Sequence, residues 1–440
     1  MITLITNIAQ LINTREETTL LRGAALANLP SIENAFLLVE DGIIADYGHM
    51  YELALKVPQL PKHIIDAEGQ FVLPTWCDSH THLVFAKTRE EEFIDKLKGI
   101  SYADIAAKGG GILNSARVLN ETQEDDLFIS AWERLQQIIK LGTGAVEIKS
   151  GYGLTVGGEL KMLRVIKKLK EKSSIRIKST FLGAHTYPVL YKDDHQAYID
   201  RIINEMLPVI AAEKLADYID CFCETGFFSP EEMEIICKAG MSYGLKPKLH
   251  VNQLNSIGGI QSAIKLNALS VDHLETMTDT DIKLLAEGES PHSGLPGNKN
   301  KSGNGGEPPY RGDSPVTIGT LLPTAAFFLR MQYQPARKLI DAGCAIALAS
   351  DYNPGSSPSG NMNFVISLAC IQMNMLPEEA INAATINAAH AMELQNELGS
   401  ITIGKKANLI FTKPIPSLAY LPYSFAENCI DKVMINGEFI

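Results

Sequence analysis

The sequence has 440 residues, of which 45% are hydrophobic and 20% are charged, and it is long enough for one large domain with a smaller one beside it. Its 39 basic residues face 51 acidic ones, and the resulting net charge of −12 argues against a nucleic acid or an anionic membrane surface as the main partner. An anionic substrate would therefore have to be bound by basic side chains placed locally.

The N-terminal residues lack the basic and apolar pattern of a secretion signal, and no apolar run approaches membrane-spanning length. The seven cysteines are an odd number and are scattered along the chain. In a chain without a secretion signal, such cysteines are typical of reduced thiols. We therefore expect a cytoplasmic protein that binds neither a membrane nor a nucleic acid.

Both ends of the chain show short apolar runs joined by tight turns. Near the N-terminus, residues 35–39 and 43–47 are separated by a short acidic segment that ends in glycine, which is a hairpin signal. The C-terminal part repeats this alternation of short runs and turns. We predict one small β domain built from residues 1–66 together with 399–440.

Between these ends, over residues 67–398, strand patterns alternate with helical ones. Eight apolar runs read as strands, and they end near residues 82, 149, 185, 223, 250, 272, 320 and 350. Eight strand–helix units with polar residues at the strand C-termini predict an α/β fold, a (β/α)₈ TIM-like barrel with its active site at that face. A doubly wound sheet is the alternative, but no glycine-rich fingerprint follows an early strand.

One segment does not fit the alternation. Residues 288–314 are rich in Gly, Pro, Asn and Ser and show no apolar period. We interpret them as a flexible insertion before the seventh strand, on the face opposite the active site.

Polar side chains at the strand ends are candidate metal ligands. Residues two apart on a strand face the same way, so the imidazoles of His80 and His82 can converge on one ion. His250 ends the fifth strand and Asp351 follows the eighth. Three imidazoles and a carboxylate suit Zn²⁺, or Fe²⁺ with less selectivity. His250 by itself is as well explained by a structural role in the core.

A metal at this place would lower the pKa of its bound water to about 7. Asp351 could take the proton of that water and pass it to a leaving nitrogen. His273, at the end of the sixth strand, could polarise a carbonyl, although a structural hydrogen bond is an equal alternative. His185, Tyr152 and Arg89 also follow strand ends and could contact substrate. For Arg89, which lies in a run of charges, the residues alone favour a solvated surface position.

Five segments are distinctive, namely DSHTHLVF at 78–85, EIKSGYGL at 147–154, FLGAH at 181–185, DHLE at 272–275 and DYNPGSS at 351–357. They resemble motifs of the imidazolonepropionases, a histidine-degrading family of the amidohydrolase superfamily. The EIKSGYGL run is far more specific than the His-x-His pair, which the whole superfamily shares. The resemblance covers nearly the whole chain except residues 288–314.

The resemblance implies an enzyme that uses metal-activated water to open the ring of 4-imidazolone-5-propanoate at its amide carbonyl, giving N-formimidoyl-L-glutamate. It implies one Zn²⁺ or Fe ion per subunit, held by His80, His82, His250 and Asp351. It also implies a cytosolic homodimer. The substrate or product would be contacted by Arg89, Tyr152, His185, Asn353, Gly355 and Ser356.

Asn408 stands where the family usually carries Asp, in a turn of the β domain, and two further positions bear on the chemistry. Gln253 stands three residues after His250, where hydrolases and deaminases often carry Glu; since Gln cannot shuttle a proton at neutral pH, we assign it to substrate hydrogen bonding. The fourth strand ends in Glu224 and not in the lysine that binuclear relatives carbamylate, which favours a single metal. An aminohydrolase acting on another heterocycle is the alternative enzyme, and Gln253 counts against it. A catalytically silent metal-binding scaffold is the other alternative, and the intact Asp351 counts against that.

Overall fold

A computed structural model describes residues 1–100, 110–288 and 316–440. The predicted insertion at 288–314 lies outside the described residues except for Gly288, which is the left-handed C-cap of a helix. Among the described helices, none is long and apolar enough to cross a membrane.

Strands from both ends of the chain form one mixed eight-stranded sheet. Its order is β16-β15-β14-β5-β1-β2-β3, with β4 pairing with β1. Ile5, Leu37, Leu409 and Met434 from both termini share one apolar cluster. The additional β domain is thereby confirmed. Its strands are β1 (Ile2–Ile12), β2 (Ser31–Glu40), β3 (Ile43–His49), β4 (His63–Asp66), β5 (Phe71–Pro74), β14 (Leu409–Thr412), β15 (Ile430–Ile435) and β16 (Glu438–Phe439).

Strand β5 lies within the range 67–398 predicted for the barrel, but it pairs with β1 and β14 of the mixed sheet. The chain changes sheets between two consecutive residues. The N–H of Thr75 donates to Asn408 O at 3.1 Å, whereas that of Trp76 donates to Gly142 O at 2.9 Å. The apolar run at this point is therefore two strands in two sheets. The other boundaries of the two predicted domains stay predictions.

The predicted (β/α)₈ barrel is confirmed. Its eight strands pair in chain order, and every described pair of neighbours is parallel. The last strand returns to the first, because Asp351 N donates to His80 O at 3.0 Å and Thr81 bridges to Tyr352. The barrel strands are β6 (Trp76–Thr81), β7 (Thr143–Lys149), β8 (Arg176–Ala184), β9 (Tyr218–Cys223), β10 (Lys246–Val251), β11 (Ser270–His273), β12 (Ile318–Leu321) and β13 (Ile346–Leu348).

Helices surround the barrel, and several begin at local side-chain caps. The hydroxyls of Thr155 and Ser229 accept hydrogen bonds from the N–H groups of Gly158 and Glu232, each three residues further on. The described α-helices are Leu53–Lys56, Glu90–Leu97, Gly111–Glu121, Glu124–Lys140, Val156–Lys172, His195–Arg201, Leu207–Glu213, Pro230–Ser242, Gly259–Lys265, Asp279–Glu287, Pro323–Leu329, Ala336–Asp341, Met362–Met373, Pro377–Ala384, Ile386–His390 and Tyr420–Tyr423. Shorter 3₁₀ segments are Gly23–Ala27, Met50–Glu52 and Val189–Tyr191, and Ile202–Met206 is a π-helical turn.

Candidate active site

The four predicted metal ligands meet at the carboxyl end of the barrel. One nitrogen each from His80, His82 and His250 forms a cluster in which all ligand atoms lie within 4.8 Å of one another. Asp351 Oδ1 is 3.6 Å from His80 Nε2 and 3.7 Å from His82 Nε2. All four side chains are buried. Strands that are distant in the sequence thus bring these groups to one point.

The protonation pattern of these histidines suits a metal ion. His80 Nδ1 is 2.7 Å from Asp272 Oδ2, and His250 Nδ1 is 2.7 Å from Asp220 Oδ2. Burial lowers the pKa of both imidazoles well below the usual value, so they are neutral and donate through Nδ1. Among the described residues, His80 Nε2 is buried with no hydrogen-bond partner. A buried lone pair of this kind is satisfied by a metal, and its orienting carboxylate is typical of zinc-ligating histidines.

The backbone is strained at two of the site residues. His273 has φ of 88° and Asp351 has φ of 52°, in the left-handed region that residues with a side chain rarely adopt. Next to Asp351, the N–H and hydroxyl of Ser350 donate to the buried Asp78 carboxylate at 2.9 and 2.5 Å. Strain that the surrounding contacts maintain is characteristic of functional positions.

His273 lies beside the histidine cluster, with its ring centroid 5.7 Å from that of His80 and 5.2 Å from that of His250. Its Nδ1 is 3.3 Å from Glu275 Oε1, which also accepts a hydrogen bond from Gln334 Nε2 at 2.9 Å. Burial alone would lower the pKa of His273, but Glu275, Asp351 and Asp272 raise it overall. The imidazole is therefore suited to donating a proton or a hydrogen bond toward the cavity.

Asp351 differs from an ordinary carboxylate of the surface. Burial raises its pKa to about 6, against the lowering influence of His273 and of hydrogen bonds from Asn353 and Ser356. Ser356 Oγ donates to Asp351 Oδ2 at 3.2 Å. The other oxygen, Oδ1, faces the histidine cluster. Asp351 can thus serve both as a ligand and as a proton acceptor.

One cavity of about 290 Å³ opens over this cluster. Every residue predicted to contact substrate lines it, and so does the catalytic candidate His273. Its apolar lining comes from Ile112, Phe222, Phe227, Leu254 and Leu329. The predicted substrate contacts in the lining are Arg89, Tyr152, His185, Gln253, Asn353, Gly355 and Ser356.

Arg89 is not the solvated surface charge that its sequence neighbours suggest. Only 8% of its side chain is exposed, and its guanidinium donates to Glu92 Oε2 through Nε at 2.9 Å and Nη2 at 2.5 Å. The helix that begins after Arg89 brings Glu92 back to it. Gly355 lies against the guanidinium, and a Cβ there would be 2.2 Å from Arg89 Nη1. Gly355 thus makes room for Arg89 in the cavity wall.

Sequence reasoning missed a second cation of the cavity, Lys96. Its ammonium donates to Gly355 O at 3.3 Å, and within 4.0 Å it has no carboxylate partner in the described part of the chain. Burial lowers its pKa, as does Arg89, while Glu92 raises it. The signal was present in the sequence, because Glu92 and Lys96 follow Arg89 by three and seven residues and so share one helical face.

The loop that carries Tyr152 is held by another residue that the sequence did not single out. The buried Glu159 carboxylate accepts hydrogen bonds from the N–H groups of Gly151, Gly153 and Leu154 at 3.0, 2.7 and 2.9 Å. This arrangement fixes the backbone on both sides of Tyr152, whose side chain is 3% exposed.

His185 is fixed by the same loop. Its Nδ1 lies 2.9 Å from Gly151 O, and its ring stacks on His82 with centroids 5.3 Å apart. Burial lowers the pKa of His185 to about 4, so the imidazole is neutral at pH 7. With Nδ1–H donating to the carbonyl, the Nε2 atom is an acceptor.

Asn353 shapes the loop after β13. Its Nδ2 donates to Asp351 O and Ser356 Oγ, both at 2.7 Å, and its Oδ1 accepts from the N–H groups of Gly355 and Ser356, both at 2.8 Å. These bonds use most of the capacity of the amide within its own loop. Asn353 therefore positions the neighbours that face the cavity.

Gln253 enters the cavity from a loop that Glu224 holds. The buried Glu224 carboxylate accepts from the N–H groups of Thr225, Leu254 and Asn255 at 2.8, 2.8 and 3.1 Å. Its oxygens are thus engaged with backbone. The expectation of a single metal ion stays a prediction.

Comparison with known proteins shows to which family this chain belongs. Residues 71–440 match the sequence model of the amidohydrolase family. Over 442 aligned residues and the full length of both chains, the sequence is 54% identical to a protein of Flavobacterium johnsoniae named imidazolonepropionase. This chain belongs to the imidazolonepropionase family. It is also 40% identical to the imidazolonepropionase of Parabacteroides distasonis, covering 99% of this chain and 98% of that one. The predicted enzyme class, an amidohydrolase, is thereby confirmed.

Solved structures of more distant proteins share the fold. The guanine deaminase of E. coli matches with a TM-score of 0.66 at 12% identity, covering 100% of this chain and 99% of that one. An adenosine deaminase from Xanthomonas campestris, solved with bound zinc, matches with a TM-score of 0.65 at 15% identity, covering 99% and 92%. At such low identity, the similarity shows a shared fold only, and the chemistry has to be inferred from the residues of the site.

Proposed function

We propose that this chain is an imidazolonepropionase, which adds water across the amide C–N bond of 4-imidazolone-5-propanoate to give N-formimidoyl-L-glutamate. Water oxygen bonds to the carbonyl carbon, the ring C–N bond breaks, and the nitrogen takes a proton. The observation that carries the proposal is that one cavity joins the His80, His82, His250 and Asp351 cluster to two cationic side chains. Full-length similarity to named imidazolonepropionases supports the same substrate.

The proposal includes one Zn²⁺ or Fe ion per subunit, held by His80, His82, His250 and Asp351. The donor set of three neutral imidazoles and one carboxylate suits either metal. When bound, such an ion supplies a water of lowered pKa and polarises a carbonyl.

Asp351 and His273 carry the proton transfers. Asp351, with one oxygen facing the histidine cluster, accepts the proton of the attacking water and delivers it to the departing ring nitrogen. His273, which Glu275 orients, donates to the carbonyl oxygen as negative charge develops there. Both residues line the cavity.

The remaining lining residues recognise the substrate. Arg89 and Lys96 bind the propionate carboxylate, because in a protein of net charge −12 they offset the repulsion of an anion. Tyr152, the Nε2 atom of His185 and the Gln253 amide bind the polar edge of the ring. The loop containing Asn353, Gly355 and Ser356 lies next to the substrate and the product.

The decisive experiment follows the loss of imidazolone absorbance with purified protein of measured metal content. Turnover that requires the bound metal, with formimidoylglutamate as the product, is the expected result. A metal-loaded protein that leaves the imidazolone unchanged would contradict the proposal. The same assay with heterocyclic amines would reveal an aminohydrolase, against which Gln253 counts because an amide cannot shuttle a proton.

Arg89→Met should lower kcat/KM for imidazolonepropionate by about 30- to 1000-fold, because a desolvated carboxylate clamp contributes roughly 2–4 kcal/mol. Lys cannot reproduce the planar fork of Arg, so Arg89→Lys should restore little. Steady-state kinetics of the metal-loaded variant measure the effect.

The control for Arg89→Met is Lys98→Met, which removes an exposed cation one residue beyond the same helix and should leave kcat/KM within about threefold. For an analogue whose side chain ends in an uncharged amide, Arg89→Met should lower kcat/KM much less than it does for the natural substrate. Equal losses on both substrates would remove Arg89 from carboxylate recognition.

We also propose that the protein works as a cytoplasmic homodimer. All seven cysteines are free thiols, six of them buried, which suits a reducing compartment. The dimer rests on the resemblance to the family, and light scattering of the purified protein would test it directly.

A further inference from the structure

The proposed mechanism gives no role to the buried cation Lys149. Lys149, the last residue of β7, is fully buried beneath the metal cluster. Its ammonium lies 2.8 Å from Glu147 Oε1, 2.9 Å from Asp220 Oδ2 and 3.4 Å from Asp272 Oδ2. Three carboxylates from β7, β9 and β11 thus converge on a single lysine.

Two of these carboxylates touch metal ligands with the same oxygen that faces Lys149. Asp220 Oδ2 is 2.7 Å from His250 Nδ1, and Asp272 Oδ2 is 2.7 Å from His80 Nδ1. Asp220 Oδ1 additionally accepts the N–H of His250 at 3.0 Å. A continuous path of contacts therefore runs from one imidazole through Lys149 to the other.

We infer that Lys149 is a positioning residue of the metal centre, which aims the imidazoles of His80 and His250 by holding their two aspartates in place. The inference rests on the metal site in the proposed function but not on the substrate. A carboxylate that accepts from Nδ1 fixes the tautomer and the ring orientation, so that Nε2 is presented to the ion. Each aspartate must keep its oxygen at that place.

The ammonium is what allows the two aspartates to stay there. Both aspartates are fully buried. Among the described lysines and arginines, Lys149 is the one whose side-chain nitrogen lies within 4.0 Å of both carboxylates. Without it, two like charges would face each other in a low-dielectric interior, where they repel strongly. Burial alone would lower the pKa of Lys149, but Asp220, Glu147 and Asp272 raise it overall, so it remains an ammonium ion.

A purely structural ion pair in the barrel interior is the competing explanation, and the chain offers a matched control for it. Lys248 on β10 is also fully buried. It contacts Glu147 Oε2 at 3.0 Å, Ser270 Oγ at 3.0 Å and Ala391 O at 2.9 Å. Among the described residues, the Lys248 ammonium forms no ion pair within 4.0 Å with Asp220 or Asp272. Lys248 reaches Asp272 only indirectly among the described contacts, because its partner Ser270 Oγ donates to Asp272 Oδ1 at 2.6 Å. Loss of Lys248 should therefore disturb the two histidines less than loss of Lys149, which contacts both aspartates directly.

The test compares Lys149→Met with Lys248→Met, because methionine keeps the length of the side chain and removes its charge. Each zinc-loaded protein is exposed to a fixed excess of chelator, and the rate of zinc loss is measured together with the thermal unfolding of the metal-free form. We expect Lys149→Met to lose zinc about 10- to 100-fold faster than wild type. Lys248→Met should stay within about threefold, even where both metal-free proteins unfold at a similarly lowered temperature.

Lys149→Arg, which keeps the charge, should restore most of the zinc retention. A purely structural role would not require the charged variant to retain zinc better than the uncharged one. If Lys149→Met does not fold, Lys149→Gln takes its place with the same expectation. Zinc retention equal to wild type in the uncharged variant would overturn the inference, and so would equal losses at Lys149 and Lys248. Because zinc release requires no turnover, a failure of the proposed substrate would appear separately, in wild-type protein that holds zinc but leaves the imidazolone intact.

Discussion

Replacing His82 by alanine should abolish measurable turnover and empty the metal site while the barrel stays folded. His82 lies at the rim of the barrel, and its Nε2 is 3.7 Å from Asp351 Oδ1. Removing one of four ligands leaves too few donors for tight binding, and the activated water is lost with the ion. Elemental analysis, circular dichroism and the imidazolone assay together measure the three parts of this prediction.

His80→Ala should also abolish turnover, but at a larger cost in stability. The His80 imidazole is fully buried and binds Asp272, so its loss leaves an aspartate without one of its partners. His63→Ala, which removes an exposed histidine of β4, should change neither metal content nor activity. Full metal occupancy in His82→Ala would remove His82 from the ligand set.

Asp351→Asn should reduce kcat by about 10²-fold or more, with a smaller effect on substrate binding. The amide keeps the shape of the carboxylate but cannot accept the proton of water at neutral pH. Because Asp351 is also a proposed ligand, kcat must be calculated per bound metal ion. Kinetics of metal-reconstituted protein, with metal measured in the same sample, provide that value.

Ser356→Ala is the comparison for this substitution. It removes the hydroxyl that donates to Asp351 Oδ2 at 3.2 Å and leaves the carboxylate in place. We expect its kcat to fall by less than about tenfold, since one hydrogen bond contributes about 1 kcal/mol. If Asp351→Asn kept its kcat and only KM rose, Asp351 would be a substrate contact and another residue would be the base.

The sequence predicted the barrel, which the structure confirms, and a candidate ligand set, because both depend on short-range patterns. A strand of period two that ends in polar residues shows which side chains face the same way, as with His80 and His82. In a parallel barrel all such ends lie on one face, so His250 and Asp351 could be assigned to the same site before any distance was known. The EIKSGYGL motif indicated one family within the amidohydrolase superfamily, and sequence similarity over the full length of the chain then confirmed that family.

Local patterns could not identify partners that face each other across the barrel. Lys149 contacts Asp220 and Asp272, which lie 71 and 123 residues further along the chain. No sequence spacing predicts such contacts. The same holds for Arg89, whose run of neighbouring charges is typical of a solvated surface although the folded chain buries it against Gly355.

The sequence by itself therefore determined the class of fold, the candidate metal ligands and the family, since these follow from periodicity and from motifs of adjacent residues. Only the tertiary structure decided that β5 leaves the barrel for the terminal sheet and that Lys96 joins Arg89 in the cavity. It also decided that Lys149 contacts the aspartates beside two of the candidate metal ligands. The physical reason is that burial and ion pairing depend on which strands become neighbours. That is settled by packing of the whole chain and not by any local stretch of it.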